Sequence, residues 1–531
     1  MHRTTLATTA AATLLAATLS GCQDSASEAA DGDTIVVGTT DRFVVTKREP
    51  AAFDPALSYD AGAWNMMRNT FQTLVSPPRS GTELKPDAAR SCGFTDRRSA
   101  RYRCLLRSGL TFSNGHRLTS RDVRFSVERV RAIDHPAGPA SLLGNIDRVE
   151  TPNDREVVFH LKKPDATFGQ KLATPVAAIV DEQTYPARDF HRGYRMTGSG
   201  PYVLDSFDQR EGLAVFTRNP RYKGRLKVRN ERVEVRMFDT AERMEKALRA
   251  GRIDLMNRSL TPRQIKRLNR GDNDDVKMTE TTGQEIRYLV FDTEGEKTGK
   301  AAVRRAIAQV VDRHRLVRDV YSRTVEPLYS IVPSGVLGHR NSFFNEYGEN
   351  PTVADARKTL RRAGITEPVK LTLHYTTDHY GSATEGEFAS LREQLDSSGL
   401  FKVTLRGAAW KEFRPAAAEG EYEVYGFGWY PDFPDADNYI APFFDKGNVL
   451  SSAYHSKEIR DRLIPRTRGQ AERVNAEEDF GRAQDIVAKD VPLLPLWQGK
   501  QYVAARNGLL GVEWAMNSSS TLQVWELAKN E

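Results

Sequence analysis

The run Tyr425-Gly-Phe-Gly-Trp-Tyr-Pro-Asp-Phe-Pro-Asp435 gathers the side chains best suited to hold a small molecule. Trp429 and Tyr430 offer apolar walls with polar tips. Asp432 offers a negative charge. A carboxylate inside an enclosed site is costly unless a cation arrives with the guest, so in an enclosed position Asp432 would select positively charged solutes. Taken alone, Asp432, flanked by Pro431 and Pro434, reads first as a residue that caps a turn through its side chain. The segment Tyr422 to Trp429 reads as a strand that stops at Pro431, because proline cannot donate to a ladder. Residues just beyond it stand at the carboxyl end of a strand, where open α/β sheets form their crevices. Gly426 and Gly428 leave backbone open to close approach, and Phe427 between them completes the set on this strand.

Bond-making chemistry has no comparable motif. There is no Gly-x-Ser-x-Gly elbow and no His-Glu-x-x-His helix. Gly295-Glu-Lys-Thr-Gly-Lys-Ala301 is one residue short of a phosphate loop, ends in Ala301, and reads as a solvated turn before a helix. The histidines are scattered, with His374 and His379 the nearest pair, so neither a metal site nor a cofactor is expected. Catalysis is not expected either.

The elements that would position these residues alternate. Ile35-Val36-Val37-Gly38 is a buried strand. Thr119 with Asp122 three residues on forms a capping-box pattern, followed by a stripe of Val123, Val127 and Val130. Thr240 to Ala250 reads as a helix stopped by Gly251. Val303, Ile307, Val310, Val311 and Val317 mark one longer helix. Thr352 and Asp355 cap another that ends at Gly364. Phe388, Leu391 and Leu395 give a further helical stripe, and Phe401, Val403 and Leu405 alternate as a strand. Such alternation implies α/β lobes. The polar stretch Gly271 to Asp275 suggests a boundary near 270–285, with fresh strand material starting at Tyr288.

A chain of 531 residues and 59.5 kDa exceeds a single core, so two or more lobes are expected. Its mean hydropathy of -0.55 argues against a polytopic membrane protein. The net charge of +7 comes from interspersed signs, as in Arg225 to Arg232, without aromatic stacking motifs; a nucleic-acid partner is not expected. The first residues differ. Arg3 precedes an apolar Ala- and Leu-rich stretch that suits a signal-peptide core, 1–21, and a polar tether follows over 22–34. Export makes Cys92 and Cys104 an even pair outside a reducing compartment. The polar Thr95 to Ser99 between them lets the two face each other across a hairpin as a structural disulfide.

Two resemblances sharpen this picture. Leu19-Ser-Gly-Cys22 resembles the lipobox of bacterial lipoproteins, which implies a diacylglycerol on Cys22 and anchoring to the outer face of the cell membrane. The segment Leu106 to Val123, through Gly115, Leu118, Thr119, Asp122 and Val123, resembles the signature of bacterial extracellular solute-binding protein family 5. These are the peptide-, nickel- and opine-type receptors of ABC importers. Phe53-Asp-Pro-Ala56, Thr197 to Tyr202, Arg218 to Tyr222, Gly251-Arg-Ile-Asp254, Val303 to Ile307 with Asp312-Arg313, Pro333, and Val491 to Leu496 follow in the family's order.

The resemblance implies a periplasmic-binding-protein-like α/β fold with two hinged lobes. Lobe I would comprise 35–57, 171–284 and 496–531, with an inserted subdomain at 58–170; lobe II would be 285–495. It implies a monomer that captures a small-molecule ligand, a peptide or similar amine-bearing solute, between the lobes and presents it to ABC permease subunits. Asp432 takes the role of the acid that binds a ligand's α-ammonium group. Trp410 resembles the tryptophan that lines the cleft from the loop before this strand, with a core position as its alternative. Phe43 would contribute from the opposite lobe. Two departures stand out: Thr376 to Gly381 contains no arginine where dipeptide receptors carry one, and Asp292 replaces a usual asparagine. The first argues against dipeptide specificity and favours longer peptides or a cationic non-peptide solute; a receptor for another non-peptide solute, a metal chelate, opine or sugar, is an alternative. A ligand-gated sensor using the same cleft is the alternative function. An extracellular hydrolase is a remote third.

Overall fold

The computed structural model describes residues 34–78, 81–258, 260–270, 275–517 and 520–530. The expected leader, Cys22 and all but the last residue of the tether lie outside the described residues. The chain begins with strand β1 (Thr34–Thr39) and helix α1 (Ala61–Thr70). An inserted unit follows: β2 (Ala89–Phe94), β3 (Arg101–Leu106), α2 (Ser120–Ile133), β4 (Ile146–Asn153) and β5 (Glu156–Leu161). Then come β6 (Tyr202–Asp208), β7 (Leu213–Arg218), β8 (Arg232–Met237), α3 (Ala241–Arg249) and β9 (Leu255–Asn257). Strand β10 (Val276–Phe291) leads to α4 (Ala301–Val310), α5 (Val353–Arg362), β11 (Val369–Thr376), α6 (Thr384–Ser397) and β12 (Phe401–Ala408). Helix α7 (Trp410–Ala418), β13 (Val424–Trp429) and α8 (Asp437–Phe444) precede the returning strand β14 (Leu493–Arg506).

These strands hydrogen-bond in the order β12-β11-β13-β10-β14-β9-β1-β8-β7-β6. Strand β1 lies parallel to both β8 and β9, and every residue of it is buried, as a continuous apolar run between covered faces requires. The sheet has two halves joined by β10 and β14. Val276 to Thr282 pairs with Lys500 to Arg506 on one side, and Ile286 to Val290 pairs with Leu493 to Gln498 on the other. The ladder is irregular between Thr282 and Ile286. Separate cores match these halves. One packs residues from Ile286 to Trp497. Another joins β1, α1, β6 to β9 and the C-terminal segment, and a third fills the inserted unit. The result is a two-lobed α/β fold with an insertion. Among the described residues, no helix is long and apolar enough to cross a membrane.

Local expectations fare unevenly. Thr119 and Asp122 form the full capping box, and Thr240 caps α3. Cys92 and Cys104 sit opposite each other on β2 and β3, and their sulfurs are bonded. The single helix expected over Val303 to Val317 is broken. Val311 is extended, and Asp312 caps a new turn by accepting from the Arg315 N–H while its own N–H donates to Gln394. Thr352 precedes α5 without a side-chain cap, because its N–H donates to the Gln309 carbonyl and Asp355 has no reciprocal bond to complete. Tyr288 starts no new strand; β10 runs unbroken through it from Val276.

Candidate ligand-binding cleft

Strand β13 lies between β10 and β11, antiparallel to the first and parallel to the second, and is buried until Trp429. Its glycines serve protein side chains. A Cβ on Gly426 would meet the Phe388 ring at 2.3 Å, and one on Gly428 would meet Arg287 Nη1 at 2.8 Å. The close approach expected of a guest is thus made by α6 and β10.

Beyond the strand, Asn438 on α8 organises the turn. Its Oδ1 accepts from the Asp432 N–H at 2.9 Å and from Trp429 Nε1 at 3.3 Å, while its Nδ2 donates to the Asp432 carboxylate at 3.1 Å. The turn-capping role expected as an alternative for Asp432 is therefore held largely by Asn438. The hydroxyl of Tyr59, just before α1 in the other half of the molecule, reaches the same carboxylate. Burial raises the Asp432 pKa, and the Asn438 and Tyr59 contacts only partly offset this. The cation acting on it is Lys171, which is paired with Asp165 at 2.6 Å.

Tyr59 and Tyr430 are 39% and 44% exposed. Burial nonetheless pushes both hydroxyls well above the usual tyrosine range. Rings with open surface but dense protein around them face an internal gap, and this gap lies between the two halves. On the Tyr59 side it is walled by Asp60, Asp41 and Arg258, the last two paired at 2.9 Å. On the other side Tyr430 reaches Glu285, behind which stand Arg287 and Glu387.

The expected site residues divide into three groups. Trp429, Tyr430 and Asp432 come together at the gap. Phe427, Gly428 and Trp410 form a layer beneath, around Tyr380 and His379. Trp410 is the first residue of α7, not part of a loop, and stacks on His379 with centroids 3.8 Å apart. Burial and Arg287 lower the His379 pKa to about 4, so the stacked ring is neutral. His374 stacks separately on Tyr422. Phe43 stands apart, packed on Phe53 and Phe207 in a core of the first half. Among the described residues, no three His, Cys, Asp or Glu side chains gather as metal ligands. An apolar cavity bounded by Met67, Phe71, Pro175, Leu226 and Trp525 contains none of these residues.

Sequence reasoning did not find Tyr59, Asn438, Glu285, Arg287, Glu387 or Tyr380. One signal was present: Glu285-Ile-Arg-Tyr288 alternates polar and apolar, placing Glu285 and Arg287 on one face of β10.

The sequence pattern of bacterial extracellular solute-binding proteins, family 5 Middle, matches residues 83–451. The probable D,D-dipeptide-binding periplasmic protein DdpA of Escherichia coli (strain K12) is 25% identical over 507 residues, covering 93% of this chain and 94% of that protein. Among solved structures, the periplasmic binding protein DppA of Helicobacter pylori in complex with the peptide STSA has a TM-score of 0.78 at 20% identity, over 94% of this chain and 98% of that one. AgaA from A. tumefacien R10, in complex with agropinic acid, has a TM-score of 0.76 at 20% identity, over 94% and 99%. At such identities these likenesses show the fold.

Proposed function

Because the chain belongs to the bacterial extracellular solute-binding proteins, family 5, we propose that it captures peptides or similar amine-bearing solutes between its lobes, with the ligand's ammonium on Asp432. The observation carrying this reading is a partly buried carboxylate that faces the gap, is reached by Tyr59 from the opposite wall, and feels the charge of Lys171, itself already paired with Asp165. Burial penalises the charged form, and a ligand ammonium would relieve that penalty. The lobes would swing about β10 and β14 near Gly283 to Glu285, a reading supported by the ladder irregularity there. Closure would be the signal read by the permease subunits of an ABC importer. A monomer tethered outside the cell by a lipid on Cys22 would suit that role.

Titration calorimetry with tripeptides tests the reading. Asp432→Asn should weaken binding by about 3–5 kcal/mol, the scale of a broken buried charge pair. Unchanged affinity removes Asp432 from the site. The absence of arginine from Thr376 to Gly381 disfavours dipeptides and leaves longer peptides and a cationic non-peptide solute as the two readings. Mass spectrometry of material co-purifying with the protein separates the two.

A further inference from the structure

The charges around the gap identify a second cation subsite. Five carboxylates (Asp41, Asp60, Glu285, Glu387 and Asp432) stand there against two guanidiniums, Arg258 and Arg287. The two guanidiniums differ in how far they are engaged. Arg258 is held by Asp41 at 2.9 Å, and Glu387 is the carboxylate acting most strongly on Arg287. Asp60 is occupied as the N-cap of α1, accepting from the Ala63 N–H at 2.8 Å. With Asp41 in an ion pair, Asp60 occupied by the N-terminus of α1, and Glu387 accepting from the Tyr321 hydroxyl and Trp497 Nε1–H, Asp432 and Glu285 are the two that face the gap without an ion-pair partner among the described residues.

Glu285 is built into the site. In the β10–β13 ladder Ile286 pairs with Trp429 and Arg287 with Gly428, so Glu285 falls beside Tyr430 at the mouth of the gap. Gly499 on the neighbouring strand lacks the side chain that would crowd it; a Cβ there would stand 3.2 Å from Glu285 Oε2. The Tyr430 hydroxyl reaches Glu285 from one side. From beneath, Arg287 is 1% exposed, its guanidinium lies 3.6 Å from the Tyr380 ring centroid, and its nitrogens have no hydrogen-bond partner. It therefore supplies positive potential to Glu285 without closing on it, and Glu285 remains half-buried toward the gap.

We propose that Glu285, flanked by Tyr430, binds a second positive charge of the ligand, so that the protein selects solutes carrying two cationic groups, such as peptides with a basic side chain. This rests on the reading of Asp432 as the first cation site. The test uses tripeptides with lysine at position 1, 2 or 3 and their norleucine isosteres, titrated against wild type, Glu285→Gln and Asp432→Asn, with spermidine-induced thermal shift as a probe independent of peptides. At least one lysine peptide should bind wild type tenfold or more tightly than its isostere. Glu285→Gln should erase that preference while keeping norleucine affinity within about threefold, and its unliganded melting temperature should match wild type. Asp432→Asn should weaken both peptides alike. If no lysine position is preferred, or the preference survives Glu285→Gln, the second subsite is wrong while the Asp432 reading stands. If peptides bind and Asp432→Asn changes nothing, the Asp432 reading fails. If no peptide binds, a spermidine shift lost in Glu285→Gln supports the subsite, and no such shift overturns it.

Discussion

Arg129 and Arg287 are both buried guanidiniums, 2% and 1% exposed, yet their surroundings are opposite. Arg129 on α2 makes a fork with Asp54, Nη1 to Oδ1 at 2.8 Å and Nη2 to Oδ2 at 2.6 Å. Its remaining donors reach the carbonyls of Pro186 and Asp189. Asp54 in turn accepts from the N–H groups of Ala56 and His191. Arg287 is surrounded by charge and aromatic faces, but none of its nitrogens has a hydrogen-bond partner, and neither does Glu387 Oε1. Buried polar groups are normally satisfied. A finished network fixes the first lobe; an unfinished one borders the gap. The contrast distinguishes charges that hold the fold from charges available to a guest.

The same substitution at both positions tests this, since lysine keeps the charge and loses the planar fork. Arg129→Lys should be the most damaging change, costing about 3–5 kcal/mol, because several charge-assisted hydrogen bonds lose their geometry at once and leave carbonyls and a carboxylate underserved. Denaturant melts followed by far-UV circular dichroism measure it. A loss below about 1 kcal/mol would mean that the Asp54–Arg129 network is no more structural than its cleft counterpart.

Asp54 also shows which parts of the molecule were legible in the sequence. The run Phe53-Asp-Pro-Ala56, the box of Thr119 and Asp122, and the pair Cys92 and Cys104 are local patterns, and local patterns survive projection onto one dimension. The cleft is different. Tyr59, Arg258, Glu285, Glu387 and Asp432 come from five distant segments, and only the two-lobed sheet brings them to one gap. Glu285 and Arg287 alternate with Ile286 and Tyr288 as any half-exposed strand would, so the pattern gives the pleat correctly. It cannot tell that the polar face turns inward over Gly428 and Gly499 instead of toward solvent. Phe43 illustrates the converse: an aromatic near the end of the first strand has the right type for a cleft, but nearby rings draw it into a core.

Protonation gives a second, smaller separation. In the free protein, burial raises the Asp432 carboxyl above 3.8, while the bound ammonium of a ligand would lower it again. Binding then expels a proton wherever the pH lies below the raised value, so affinity should be flat at neutral pH and fall on acidification. The limiting slope is about tenfold, or 1.4 kcal/mol, per pH unit once the free carboxyl is protonated. Calorimetry from pH 7 to pH 4 in buffers of different ionisation enthalpy reads both the affinity and the proton count. The Asp432→Asn protein should lack this Asp432-linked fall. A wild-type profile that is equally flat would place Asp432 among the finished charges with Asp54.

Arg287→Lys should have the smallest effect on stability. No hydrogen bond is lost there, the positive charge facing Glu387 is kept, and what disappears is the guanidinium stack on Tyr380, worth about 0.5–2 kcal/mol. The lysine ammonium is compact and strongly hydrated, so it would shift within the space the guanidinium fills and change the potential at Glu285. Chemical denaturation should therefore report a loss well under that of Arg129→Lys, while the lysine-over-norleucine preference of bound tripeptides moves measurably. Equal destabilisation by the two variants, with peptide preference untouched, would make Arg287 a second structural anchor and remove the distinction between the two regions.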